Sequence, residues 1–120
     1  FQIIKSSNHI IMEKSIFEHS NVFRFPEKVD YSSEGIISKR VIDRPTGTVT
    51  LFSFDKGQRL STHSAPFDAM VQVVEGHAEI VINEQPFHLS TGAVIIMPAG
   101  IPHAVNASEK FKMVLTMIKG

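Results

Sequence analysis

The chain has 120 residues, and its twelve Lys and Arg balance twelve Asp and Glu, so the formal charge is zero. That length makes one domain around one core, and the absence of a basic run excludes the electrostatic footprint of a nucleic-acid binder. With no cysteine there is no disulfide framework and no thiolate chemistry, and the longest apolar run, Ala93–Met97, is far too short to span a bilayer. No secretory leader pattern opens the chain, so a cytoplasmic protein is the expectation.

Residues 1–11 show no clear hydrophobic period, and Met12 reads as a fresh start. Residues 1–11 are therefore expected to be a non-native or disordered extension, the alternative being an arm that packs on a neighbouring subunit. Residues 12–46 are expected to hold N-terminal strands and connectors, and residues 47–120 a barrel. Phe23–Tyr31 contains Pro26 and mixed charges and reads as a connector. Ile36–Ile42 alternates in part and predicts a strand, and the cluster from Asp43 to Gly47 predicts a turn. Thr48–Phe54 is rich in β-branched and aromatic residues, as a core strand should be.

Pro66 makes Ser64–Asp68 a loop, after which Ala69–Val74 predicts a strand and Glu75-Gly76 a tight turn. In His77–Ile82 the period of two puts Ala78, Ile80 and Ile82 on one face and His77 on the other. Asn83-Glu84-Gln85 is the hairpin turn, with Asn83 best able to take a positive φ. Phe87 and Leu89 share a face, which leaves His88 on the outside. Ala93–Met97 is continuously apolar and ends at Pro98, the pattern of a buried strand. His103–Ala107 is a short strand. Lys110–Lys119 closes the barrel, with Phe111, Met113, Leu115 and Met117 on one face.

Two stretches echo one another. Gly57 to Gly76 and Gly92 to Asn106 each carry a glycine, a strand-like run and a histidine at short range. Two strand pairs, each delivering one histidine and joined by a hairpin, make a double-stranded β-helix closed into a small barrel. His63 and His103 are placed to face its pocket.

These stretches resemble the two motifs of the cupins. The first motif is Gly, five residues, His-x-His, three or four residues, Glu, six residues, Gly, and Gly57, His63 and Gly76 stand at that spacing. The second is Gly, five residues, Pro-x-Gly, two residues, His, three residues, Asn; Gly92, Pro98, Gly100 and His103 match, and Asn106 comes one residue early. The resemblance runs from about Gly47 to Lys119. It implies an all-β, jelly-roll-like cupin barrel of two antiparallel sheets. It also implies a metal site, from which this chain departs: Ala65 stands in place of the second histidine and Ala69 in place of the glutamate.

Two of four implied ligands therefore remain, His63 and His103. Neutral imidazole is the commonest protein ligand for a transition metal, yet catalytic sites usually have three protein ligands. Asp68 is the nearest carboxylate and the candidate third ligand, although strand parity with an inward Ala69 turns it outward. The alternatives are a weakly held divalent ion (Zn, Ni, Mn or Fe) and no metal at all. Phe52 or Phe54, Met70, Val73, Met97, Val105, Met113 and Met117 are candidate apolar walls of the pocket or plain core filling.

The function expected is binding of a small molecule in the barrel pocket. The alternatives are a metal-dependent dioxygenase, isomerase or decarboxylase of the type seen among small cupins, using His63 and His103, and a structural barrel that has lost its chemistry. No nucleic-acid or membrane partner is expected. Small cupins usually pair, and the Ile36–Ile42 edge needs cover, so a homodimer across a two-fold axis is expected.

Overall fold

The computed structural model describes residues 16–120, together with the backbone of residues 3–6 and 9–12. β1 (Ile3–Ser6) and β2 (His9–Met12) pair with each other, Ile3 opposite Met12, as a small sheet of their own. The rest of the segment expected to be an extension, residues 1–2 and 7–8, lies outside the described residues.

The barrel is built from β3 (Ile36–Arg44), β4 (Gly47–Phe54), β5 (Arg59–His63), β6 (Ala69–Ile82), β7 (Gln85–Ser90), β8 (Val94–Met97), β9 (His103–Asn106) and β10 (Phe111–Ile118). All pairings are antiparallel. β3-β4-β10-β6-β8 form one sheet and β7-β6-β9-β5 the other, so β6 belongs to both. The only helical element among the described residues is a single 3-10 turn, Phe25–Lys28. The all-β barrel read from the sequence is the fold observed.

One expectation fails at Gly76. Glu75-Gly76 is not a tight turn; β6 runs through it for 14 residues. The chain corners here instead of reversing. Opposite β10, Lys112 faces Glu75 but Met113 faces Val73, so Val74 is an extra residue in a bulge. Gly76 follows with φ of +89°, a conformation that suits a residue without Cβ. Bulges bend a strand and raise its twist, which is how one strand passes from sheet to sheet. Thr91 seals the corner: its Oγ1 accepts from the Gly76 N–H at 3.0 Å and donates to the Gly76 carbonyl at 3.2 Å.

Inside, Phe54 and Phe111 stack with centroids 4.7 Å apart at 7°, within a core that includes Val71, Val73, Ala78, Ile80, Val105 and Met113. Such a ring pair contributes about 1 kcal/mol beyond its area. The β6–β7 hairpin turns at Asn83 and Glu84, with φ of 50° and 70°, the left-handed pair that matches strand twist. Two apolar expectations are corrected. Met70 is 40% exposed and lines no interior wall, and in β8 Val94 and Ile96 are exposed while Met97 is buried. β8 pairs with β6 along one edge, and its residues alternate between the inner and outer face of the sheet.

Outside, residues 17–31 form a strap over the first sheet. Phe17 and Val29 pack on Leu51 and Val114, with Phe23 and Phe25 beside them. Ser53 Oγ donates to the Asp30 carbonyl at 2.8 Å. The Lys112 ammonium is buried beneath the strap, donates to the Pro26 carbonyl at 2.7 Å, and meets Glu75 at 3.3 Å. Tyr31 donates its hydroxyl to Glu75 at 2.6 Å, and its ring lies 4.7 Å from the Lys112 Nζ. The Tyr31 hydrogen bond, then Lys112, holds the Glu75 carboxyl below its usual range. Burial, reinforced by Glu75, pushes the Tyr31 phenol well up, so it stays a donor.

Two outcomes are expected. In Gly76→Ala, the new Cβ would lie 2.6 Å from the Lys110 carbonyl oxygen and 3.0 Å from Phe111 Cβ. With the positive φ this costs at least about 2 kcal/mol, read as a lowered Tm by circular dichroism. Because the Glu75 carboxyl is depressed in the folded state, its contribution is present above the ordinary value of 4.5 and is lost as pH falls below it. Glu75→Gln should therefore lower Tm by a few degrees at neutral pH, and the gap to wild type should close on acidification through pH 4.5; a gap constant with pH would contradict it.

Candidate functional site

His63 ends β5 and His103 begins β9, and the two are direct cross-strand partners. Their rings lie 4.4 Å apart between centroids, edge to face at 67°. Simple alternation would not produce this. Leu60 faces inward opposite Val105, so His63, three residues on, should face outward. The β5–β9 register slips between Leu60 and His63, which places one extra residue on β5. The bulge returns His63 to the inner face, beside His103. Re-aiming a side chain is a common use of bulges near sites.

Each imidazole is oriented by the main chain. His63 Nδ1 lies 2.8 Å from the Ser61 carbonyl oxygen and His103 Nδ1 lies 3.2 Å from the Ile101 carbonyl oxygen. Only a protonated Nδ1 can donate to a carbonyl, so these partners select the tautomer that leaves Nε2 with a free lone pair on both rings. Metal-binding histidines are commonly held this way, with the other ring nitrogen hydrogen-bonded to a carbonyl that fixes the ring's orientation. His103 is buried while His63 is exposed. Burial, and secondarily the His63 charge, pushes the His103 imidazole below its usual value of 6.5, against the raising effect of the Ile101 hydrogen bond. His103 is thus neutral and able to act as a ligand at neutral pH.

Asp68 is placed elsewhere. Its Oδ1 accepts from the Ala99 N–H at 2.9 Å, and its own carbonyl accepts from the Ile118 N–H at 3.3 Å. Asp68 thus ties the Pro98-Ala99-Gly100 reversal to the entry of β6, which Gly100 N–H to the Ala65 carbonyl at 2.7 Å reinforces. Among the described residues no group of three or more His, Cys, Asp or Glu converges on one point. Ala69, opposite Met97, is 2% exposed and packed into the core. His77 and His88 stack outside the barrel with centroids 5.8 Å apart, away from the His63–His103 pair as alternation predicts.

A groove of about 450 Å³ is lined by Thr62, Val81, Asn83, Glu84, Pro102, His103 and Ala104. Val81 and Ala104 are cross-strand partners next to Ile82 and His103, so their side chains alternate with that of His103 along the groove. The groove thus reaches His103 at the mouth of the barrel, while Val81 and Ala104 line it from the outward face.

The Cupin domain family matches residues 50–119, more than half of the chain, and this protein belongs to that family. Its structure is similar to that of a conserved protein of unknown function from Streptococcus pyogenes, at 38% identity over 91% of this chain and 96% of that one, with a TM-score of 0.83. It is also similar to a cupin 2 conserved barrel domain protein from Leptotrichia buccalis, at 39% identity and TM-score 0.76, covering 78% of this chain but only 46% of the other. A salicylate 1,2-dioxygenase from Pseudaminobacter salicylatoxidans shares the fold at 20% identity, over 70% of this chain and 26% of its own, with a TM-score of 0.66. No curated protein sequence matches the chain significantly. No helix among the described residues is long and apolar enough to cross a membrane.

Because burial is the first cause of the His103 shift, the His103 ring signals should titrate below pH 6.5 in NMR spectra. His63→Ala should move that midpoint upward, since it removes a neighbouring positive charge and opens the site to water. A midpoint that stays put would show that the two rings do not sense one another.

Proposed function

We propose that the protein binds a small molecule at the end of the barrel that carries His63 and His103, through a divalent transition metal held weakly by their Nε2 atoms. The observation that carries this reading is the paired main-chain restraint: both Nδ1 atoms are engaged by carbonyls, and the rings stand 4.4 Å apart. The donor set fits an ion of modest affinity. Two imidazoles suit Zn, Ni, Mn or Fe, and Ala65 and Ala69 offer no donor, so water or the ligand itself must complete the shell. The bound metal would supply a Lewis-acidic contact to an oxygen or anionic group of the ligand. The chain's own residues orient the two rings and keep His103 neutral.

The enzymatic alternative, a metal-dependent dioxygenase, isomerase or decarboxylase, calls for a third protein ligand. The nearest carboxylate, Asp68, has its Oδ1 engaged by the Ala99 N–H, and among the described residues no third His, Cys, Asp or Glu joins the two histidines, which favours binding over turnover.

Titration with zinc, nickel, manganese and ferrous iron tests the reading. His63→Ala should weaken binding roughly tenfold or more, because a single imidazole leaves the ion mostly to water. Ala65→His combined with Ala69→Glu should strengthen it. That variant should also melt lower without metal, since a carboxylate at the buried position 69 is costly to desolvate, and should recover stability when metal is added. Tight wild-type binding unaffected by His63→Ala would place the metal elsewhere and end the proposal.

A further inference from the structure

We infer that the ligand taken at the open end of the barrel carries a carboxylate, and that Arg40, Thr48 and Thr50 receive that group. This rests on the reading of the His63–His103 end as a ligand site and names the chemical class of the ligand.

Residues directly opposite one another in an antiparallel pair share a face. Two rows therefore cross the inner face of the first sheet. One begins at Asp43 and Thr48 and ends at Ala69 and Met97; the next begins at Arg40 and Thr50 and passes Leu115. Ala69 follows His63 after one short loop, residues 64–68, and Met97 precedes His103 by another, residues 98–102. The first row thus closes its sheet at the end where the imidazoles stand, and the second lies one step further in. A bulge in β3 puts both charges on this face. The register slips between Arg40 and Ile42, so Arg40 and Asp43, three residues apart, point the same way and pair at 3.4 Å.

The core does not fill this end. On the inner face of β10, Phe111 and Met113 are buried, whereas Leu115 and Met117 are only partly so. Thr48 and Thr50 are 8% and 7% exposed, and neither hydroxyl has a hydrogen-bond partner among the described residues. No side-chain nitrogen or oxygen among those residues is sealed from water without a partner, so both hydroxyls reach open space on the inner face. A plain core would carry valine at such positions, as it does at Val71 and Val73, because a hydroxyl without a partner is costly to bury. The two threonines suit a polar occupant.

The cation selects its charge. Arg40 is the one cationic side chain on the two rows, and a guanidinium fork matches a carboxylate. Asp43 meets only Nη1, at a distance longer than a strong charge-assisted hydrogen bond. The Arg40 and Asp43 side chains are 49% and 66% exposed, so their pair adds little stability and a ligand carboxylate can replace Asp43. Leu115 and Met117 then offer an apolar wall to the rest of a small molecule, between sheets that pack about 10 Å apart.

Benzoate and isobutyrate are the probes, with benzamide and isobutyramide as neutral counterparts of similar shape, titrated into the metal-free full chain by NMR. The carboxylates should give saturable shifts of the His63 and His103 ring signals, and the amides should bind about tenfold more weakly or worse. Arg40→Gln should weaken the carboxylates about tenfold and leave the amides unchanged. Asp43→Asn should strengthen the carboxylates by removing their competitor, an effect that a merely structural ion pair would not produce. Thr50→Val should weaken them several-fold while melting no lower than wild type. Amides that bind as well as the acids, carboxylate affinity unmoved by Arg40→Gln, or no saturable binding up to about 10 mM would each overturn the inference. The metal titration separates this result from the reading beneath it. Zinc held by the histidines in a chain that takes no carboxylate overturns this inference alone, and benzoate held through Arg40 in a chain that binds no metal overturns the metal reading alone.

Discussion

Everything in this barrel depends on one strand belonging to two sheets. β6 pairs with β10 and β8 through its first half and with β7 and β9 through its second. A regular strand cannot do this, because its hydrogen bonds stay in one plane apart from twist. The bulge at Val74 and the left-handed Gly76 supply the bend, and Thr91 satisfies the backbone groups that the bend would orphan. Phe111 lies against Gly76 on one side and Phe54 on the other, so the core begins where the corner leaves room for no side chain.

A second irregularity makes the site. Without the bulge in β5, His63 would look outward and His103 would face the core end alone. With it, the two rings stand together, each turned by a carbonyl two residues earlier in the chain, Ser61 for His63 and Ile101 for His103. The same local geometry serves both residues, although their burial differs. The site is thus a product of backbone geometry more than of side-chain networks, which is why it keeps its form beside two alanines.

The outer surface is treated in two ways. Where the strap lies, aromatic rings cover Leu51 and Val114, and the buried Lys112 is tolerated because a carboxylate, a carbonyl and an aromatic face surround it. A buried charge so surrounded is specific about geometry rather than a large source of stability. Beyond the strap the sheet presents the exposed apolar side chains of Ile42, Met70, Val94, Ile96 and Ile118.

Much of this could be read in the sequence, and the boundary has a physical basis. Alternation over Ala78–Ile82, the β-branched run before Phe54, the hairpin at Asn83 and the spacing of Gly57, His63, Pro98, Gly100 and His103 depend on neighbours within a few residues, so the linear order contains them. They determined the all-β barrel and the two histidines. Register did not follow from the sequence: the extra residues at Val74 and in β5 are defined only against β10 and β9, strands far along the chain. A glycine after a glutamate reads as a turn until the partner strand shows that the chain continues. Likewise the hydrogen bond from the Ala99 N–H to Asp68 Oδ1 spans 31 residues and could not be read from local order. The apolar run at Ala93–Met97 reads as a buried strand, but only the tertiary structure shows that Val94 and Ile96 are exposed while Met97 is buried, because coverage is decided by what packs across the sheet and not by the strand itself.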